Sequence, residues 1–436
     1  MTYLFKPDTP FDGEIKNDTG NPIPVSKNTS VNSNTNPIFV KGTSDTSFFS
    51  PVQSDAFGRL RVSNPFTLFD TFNRYQDNGT SVNSTAGSGS STYDANQAAV
   101  LLNVGTANGD RVYRETVRTF AYQPGKSLLI LQTFTFNSAK PNLTQRAGYF
   151  DTQNGFYLEQ EGSNISFVRR SNVTGSVVET KKLQSEWNTN TLGSLDLSKS
   201  QILFMDIEWL GVGTIRMGFV IDGQFVICHE WHHANYITGP YISTACLPVR
   251  KEIFNTGATT GSSTMITICT SVISEGGYSL TGRDRCVGHI LGTPRTLSNS
   301  PTTFTPLISI RLKSARPGAI VLPTTFTVSP VDQAIFKYRI YTRALSSGGT
   351  WTSAGTDSSV EYNLSPTSIT SGSVAVEAFI NATNQASGAS ENAPLTFSYQ
   401  LERNTFTSTF WEVLIAVATT GNNNTCYGSL NWVEIT

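Results

Sequence analysis

From about residue 98 the chain alternates apolar and polar positions with a period of two, in short runs closed by Gly, Asn, Asp and Pro. SLLILQTFTFN (127–137), GYFDTQNGFYLEQ (148–160), NISFVRRS (164–171) and GSVVETKKL (175–183) are the first of these runs. Side chains two apart share one face of a strand, so the rhythm predicts half-buried β-strands. The clearest hairpin is TIRMGFVIDGQFVICHEW (214–231). Ile215, Met217, Phe219 and Ile221 fall on one face, and Arg216 and Gly218 on the other. Asp222-Gly223 supplies the two positive-φ residues of a type I′ turn, and Phe225 and Ile227 continue the return strand. Further strands are predicted at TMITICTSV (264–272), PLISIRL (306–312), IFKYRIYTR (335–343), SVAVEAFI (373–380), LTFSYQL (395–401), TFWEVLIAVA (409–418) and SLNWVEI (429–435). No window carries a helical apolar stripe over three turns.

The rhythm is missing from the N-terminal part. Residues 1 to about 50 contain KNDTGNPIPVSKNTSVNSNTNPIFVKGT, with Asn-Pro at 21–22 and 36–37. Proline removes a backbone donor and biases its predecessor to extended geometry, which excludes a helix or a central strand. The segment also lacks the apolar mass for a core of its own. It reads as an extended attachment arm in which Pro22, Ile23, Val25, Pro37, Ile38 and Val40 add to a neighbour's sheet edge. Residues 51–75 are compact and aromatic, and NGTSVNSTAGSGSST (78–92) reads as a structureless loop. The Pro-, Ser- and Thr-rich LGTPRTLSNSPTTFTP suggests a division near residue 300. The expected architecture is therefore all-β. An extended arm (1–50) precedes two β-sandwich or jelly-roll-like domains, at 51–300 and 301–436.

Composition supports this and narrows the partners. Charged residues make up 14% of the 436 residues, against about 25% in ordinary soluble domains. Ser, Thr, Asn and Gly replace them, which suits strands with uncharged outer faces and tight turns. The net charge of −1 offers no basic face for nucleic acid. No apolar run approaches a membrane span, and the N-terminus lacks the charge-then-apolar order of a signal peptide. The five cysteines are odd in number and widely spaced, with no CxxC. They are expected as buried free thiols made in a reducing cytosol, not as disulfides or a zinc ribbon.

Two constellations could carry chemistry. His229-Glu230-Trp231-His232-His233 formally matches H-E-x-x-H, and Glu252 could be imagined as a third ligand. The motif binds zinc because a helix brings i and i+4 onto one face. Here it continues a strand, where residues four apart lie about 13 Å apart. Asp206 and Glu208 would share one strand face at a spacing that approaches the roughly 5 Å of a retaining glycosidase pair. A further acidic residue along that strand is lacking, since Leu210, Gly211 and Val212 follow. An acidic pair near Arg216 or Lys199 is the simpler reading. Cys228-His229 fails as a nucleophile–base pair, since adjacent strand residues point to opposite faces. No catalytic, metal or cofactor-binding residue is therefore assigned. Trp187, Trp209, Trp231 and Trp351 could form a sugar-stacking platform, although core packing is the ordinary fate of such residues. Trp209, Trp231 and Trp351 are the candidate glycan-binding or interface aromatics.

The run MDIEWLGVGTIRMGFVIDGQFV looks like the strand–turn–strand of lectin-like and glucanase-like sandwiches. SDAFGRLRVSNPFTLFD (54–70), DIEWLGVGTIRMGFVIDGQFVICHEWHHAN (206–235), PLISIRLKSA (306–315) and SGGTWTSAGTDSSVEYN (347–363) together resemble virion structural proteins of tailed bacteriophages, especially marine and cyanobacterial ones. The NPIPVS segment resembles their N-terminal attachment segments. The resemblance implies incorporation into the particle as part of the tail, baseplate, fibre or head surface. It also implies other virion proteins as partners and a homo-oligomer, with a trimer favoured by analogy. It transfers no catalytic residue. The alternative is a glycan- or receptor-binding module of the virion; a glycan hydrolase or zinc protease is the remote third.

Overall fold

The structure is a computed structural model that describes residues 65–279, 281–382 and 399–435, with the backbone alone for 391–394. The expected arm residues Pro22, Ile23, Val25, Pro37, Ile38 and Val40 lie outside the described residues. Asn64–Thr436 forms one compact unit built almost wholly of strands. Its first part contains β1 (Phe66–Phe72), β2 (Ser81–Ala86), β3 (Ser90–Asp94), β4 (Ala99–Val104), β5 (Arg111–Thr116), β6 (Phe120–Ala121), β7 (Leu128–Thr135), β8 (Leu143–Phe150) and β9 (Gly155–Glu161). These are followed by β10 (Asn164–Ser171), β11 (Val178–Leu183), β12 (Gln201–Ile207), β13 (Ile215–Ile221), β14 (Gln224–Trp231), β15 (Cys246–Leu247), β16 (Val249–Asn255) and β17 (Ser263–Ser274).

These strands make a sandwich. One sheet runs β14-β13-β12-β7-β17-β4-β3 with β1 also on β17, and the other runs β11-β10-β9-β8-β16-β5-β2. The alternation sets which faces meet. Ile130, Phe134, Leu203, Met205, Met217 and Phe219 of the first sheet pack against Leu143, Ala147, Phe156, Leu158, Phe167 and Ile253 of the second. Full burial of each large side chain is worth about 1.5–3 kcal/mol. The 214–231 hairpin forms as predicted: Asp222 and Gly223 take φ of 49° and 76° between β13 and β14.

The second sandwich holds β18 (Arg283–Gly288), β19 (Arg295–Thr296), β20 (Thr305–Leu312), β21 (Ile320–Pro330), β22 (Ile335–Ser347), β23 (Thr352–Ser353) and β24 (Val360–Asn363). It continues with β25 (Ser368–Asn381), β26 (Glu391–Pro394), β27 (Arg403–Asn404), β28 (Thr409–Phe410), β29 (Glu412–Thr419) and β30 (Thr425–Ile435). Its sheets run β18-β30-β21-β26 and β23-β24-β20-β29-β22-β25 around Leu307, Ile310, Phe326, Phe336, Ile415 and Trp432. The short β27–β28 ladder reaches back to the first sandwich, where the Arg403 N–H donates to the Val117 carbonyl at 3.1 Å.

Several expectations change. The crossover between sandwiches lies between Ser274 and Arg283, not near 300, because β18 and β19 both pair with β30. The supposed loop at 78–92 is largely the strands β2 and β3. Its turn is fixed by a distant carboxylate: Ser88 donates its N–H and hydroxyl to Asp110 at 3.0 and 2.5 Å. Gly87 (φ +61°) lies so close that a Cβ there would sit 2.1 Å from Asp110 Oδ1. The run at 409–418 breaks at Trp411 into β28 and β29, which belong to different sheets. All five thiols are free, but only Cys228 and Cys426 are buried; Cys246 and Cys269 are half-buried and Cys286 is exposed.

Candidate functional site

The strands β12, β13 and β14 place Asp206, Arg216 and Glu230 side by side, since Asp206 stands opposite Arg216 and Arg216 opposite Glu230. Their side chains point away from the core that Met205, Ile207, Ile215 and Met217 enter. Arg216 Nη1 donates to Asp206 Oδ2 at 2.8 Å and to Glu208 Oε1 at 3.1 Å, while its Nε lies 3.3 Å from Glu230 Oε1. His232 Nε2 lies 3.5 Å from Glu230 Oε2. Burial raises the Asp206 carboxyl above its ordinary range, with the Arg216 hydrogen bond opposing the shift. The acidic pair thus sits on Arg216, one of the two cations expected beside it. Glu230 and His232 join it only through the hairpin register.

A tight loop closes the end of this strip. The Gly213 N–H donates to the Trp209 carbonyl at 2.6 Å, and the Glu208 N–H to the Thr214 carbonyl at 3.1 Å. A Cβ on Gly213 would fall 1.8 Å from the Glu208 carbonyl oxygen, so the LGVG sequence is needed for the turn. The Tyr241 N–H donates to the Gly211 carbonyl at 3.0 Å and joins this loop to the one that follows β14. The two loops present Leu210 and Tyr236, 65% and 77% exposed. Trp209 is half-buried against the core, its ring edge-on to Tyr122.

The histidine motif does not assemble a metal site. β14 is a strand as far as Trp231, and the histidines face different partners. His229 Nδ1 accepts the Asn188 N–H at 3.4 Å, and His233 Nδ1 donates to the Gly213 carbonyl at 2.7 Å. His232 turns outward to Glu230. Glu252 belongs to the opposite sheet, where Arg250 and Arg146 hold it. Among the described residues no group of three His, Cys, Asp or Glu side chains is placed to hold an ion. Burial pushes both His229 and His233 down to about 4, which keeps them neutral. Cys228 occupies a β-bulge, so it and His229 are both buried instead of facing opposite ways. Its thiol, pushed up to about 12 by burial, stays protonated and rests on the Val226 carbonyl.

The tryptophans separate. Trp231 is buried against Phe156 and His229, not on an outer surface. Trp187 stacks on Phe167 in the same core, and Trp351, in the second sandwich, is half-buried under the Arg311 guanidinium at 3.9 Å. Sequence reading missed Tyr236 and Leu210. Their one signal was position, on loops flanking the Arg216 strip.

No family model matches the chain, and no curated protein matches it. Among solved structures, the Emp47p carbohydrate recognition domain is similar over 52% of this chain and 100% of its own, at 12% identity and a TM-score of 0.34. The CBM2 module of the evolved Dit of Lactobacillus casei BL23 phage J-1 is similar over 50% of this chain and 100% of its own, at 6% identity and 0.34. Peanut lectin is similar over 50% and 100%, at 10% identity and 0.31. At these scores the sandwich fold rests on the strands and sheets described above.

Proposed function

We propose that this chain is a non-catalytic glycan-binding component of a larger protein assembly. The observation that carries the reading is the Arg216 strip with Trp209, Leu210 and Tyr236 at its end. Sugars present hydroxyls that carboxylates and guanidinium can hydrogen-bond, and C–H faces that pack on aromatic rings. A shallow polar strip edged by such rings supplies both. Catalysis is disfavoured on geometry. Asp206 and Glu208 approach one guanidinium nitrogen at 2.8 and 3.1 Å, so Arg216 occupies the space between them. A glycosidase pair needs the scissile oxygen there.

The test is binding of the purified full chain to a bacterial-surface glycan array, followed by calorimetry on any hit. Trp209→Ala and Glu208→Gln should each weaken binding about tenfold or more, with the fold unchanged by circular dichroism. Absence of binding to every glycan, or hits indifferent to both substitutions, would defeat the reading.

A second reading, assembly into a tailed-phage virion, is supported by the resemblance of the sequence blocks and by β25. Among the described residues that 14-residue strand lies at the end of its sheet, and most of its side chains are exposed on both faces. A long open edge is a pairing surface that proteins ordinarily cover. Deleting residues 1–50 should leave a soluble body that no longer joins particles. Normal incorporation of that truncation would remove the attachment role.

A further inference from the structure

On the inner side of β14, opposite the Arg216 strip, a second polar group lies between the edges of the two sheets. Arg169 and Phe156 stand opposite each other on β10 and β9, and both point inward. Trp231 packs on Phe156 and lies beneath the Arg169 guanidinium, 5.5 Å from its ring centre. Tyr241 packs on the same Phe156 ring at 5.5 Å, and His233 stacks on Tyr241 at 4.0 Å. Trp231 and Tyr241 thus pack on one phenylalanine, with Arg169 over the first ring and His233 stacked on the second.

Each has a polar atom with nothing to bind. Arg169 Nε, Trp231 Nε1, Tyr241 Oη and His233 Nε2 are all buried and without a hydrogen-bond partner among the described residues. Trp231, Tyr241 and His233 are themselves 7%, 3% and 1% exposed. Orphaned buried polar atoms are rare because each costs about 1–3 kcal/mol, and four on side chains linked by ring contacts call for a missing partner. Arg169 sharpens the point. Arg146, Arg170, Arg216 and Arg250 each hold a carboxylate, whereas the Arg169 guanidinium has a 3.4 Å contact with Thr180 Oγ1. Burial lowers its affinity for the proton with no anion to offset the shift. Arg169 is half-buried, with its Nε turned inward, so an anion can reach the guanidinium from the sheet edge and would offset its partial desolvation.

The pattern of donors and acceptors identifies the partner. Arg169, Trp231 and Tyr241 present N–H and O–H donors, as a carboxylate requires. His233 spends its Nδ1–H on the Gly213 carbonyl, so its neutral ring presents a lone pair at Nε2, which accepts from a hydroxyl. We propose that this flank of the first sandwich binds a hydroxy-acid group, a carboxylate with a neighbouring hydroxyl, as carried by a uronic acid sugar or a free hydroxy acid. The site is separate from the Arg216 strip and does not depend on glycan binding there.

The experiment titrates the full chain with glucuronate, a glucuronate-containing oligosaccharide, glucose, and sulfate at matched ionic strength. Binding is read by calorimetry and by tryptophan fluorescence. Saturable binding of glucuronate but not glucose is expected, weakened about ten- to a hundredfold in Arg169→Gln, the range of one charged hydrogen bond. Tyr241→Phe, which removes one hydroxyl and keeps the ring, should weaken it less. The oligosaccharide binding as well as the free acid would place the anion on a glycan; preference for the free acid would place it on a small molecule. Both support the site. Absence of glucuronate binding, or equal binding by folded Arg169→Gln, overturns it. Sulfate binding as tightly as glucuronate overturns the hydroxyl part.

Discussion

Arg146 on β8 stands opposite Glu252 on β16 and reaches its carboxylate at 3.1 Å, on the face of the seven-stranded sheet turned away from the core. The same guanidinium holds Glu159 at 2.7 Å, Arg250 joins Glu252 to Glu115 at 2.7 and 3.1 Å, and Lys181 closes on Glu159 at 2.5 Å. Glu115, Glu159, Glu252 and Arg250 are all buried, so these pairs lie in a medium of low polarity.

Removing one member of such a chain leaves its partners charged and unmatched. Arg146→Met is therefore expected to cost about 3–5 kcal/mol. Adding Glu252→Gln should return part of that loss, because the two sites share one interaction. Urea denaturation midpoints of the single and double variants would check this. Simple additivity of the two losses would contradict the ladder.

The buried histidines make the first sandwich acid-sensitive. His229 and His233 are pushed down to about 4 from an ordinary value near 6.5. Between those values the unfolded chain binds protons that the folded chain refuses. Stability therefore falls as pH drops through that window and levels off below about 4. At pH 5 each histidine costs about 2 kcal/mol relative to pH 7. Replacing His233 by Gln, which can still donate to the Gly213 carbonyl, should flatten the profile by roughly half. An unchanged pH dependence of the urea midpoint would rule this out.

Lys251 gives a second linkage at higher pH. Its side chain points between the sheets, its amine donates to Thr270 Oγ1 at 2.9 Å, and it lines a cavity of about 20 Å³ with Arg114 and Cys269. That volume has room for about one water. Burial, then the nearby Arg114, pushes the amine down to about 7 from 10.5. The unfolded chain thus holds the extra proton between those values, and stability falls as pH drops from 10.5 to 7. Lys251→Met should raise stability at pH 7 by about 1–4 kcal/mol, with the gain shrinking toward pH 10.5. Loss of stability at pH 7 would show that the amine, or a water it holds, is needed.

What could be read from the sequence was local. The β13–β14 hairpin and the β10 strand needed only alternation and turn residues, and they fell where expected. β2 and β3 escaped because Ser, Thr and Asn give no apolar rhythm, and Asp110, far along the chain, fixes their turn. The crossover was misplaced because β18 and β19 are recognised only by pairing with β30, at the other end of the second sandwich. The site divides the same way. The Asp206–Arg216 contact was legible from proximity along one hairpin, whereas Arg169 meets Trp231 only when two sheets stack.

Arg403 tests how firmly the sandwiches are joined. It is 4% exposed, its backbone N–H donates to the Val117 carbonyl, and its Nη1 lies 3.3 and 3.5 Å from the Val117 and Thr116 carbonyls. Beside it, Glu402 holds Arg118 of the first sandwich at 3.0 Å and also binds Arg343 of the second. Gln400 donates to the Thr119 carbonyl at 3.2 Å. Side chains of one sandwich thus satisfy backbone acceptors of the other, which couples their unfolding. Arg403→Ala keeps the backbone N–H on the Val117 carbonyl but removes the guanidinium donor from the Thr116 and Val117 carbonyls, at about 1–3 kcal/mol in all. The cost falls on the contact rather than on either core. Calorimetry should then show one heat-absorption peak for the native chain and two for Arg403→Ala, the two sandwiches melting separately. A single unshifted peak in the variant would mean that the sandwiches are held by something other than this residue.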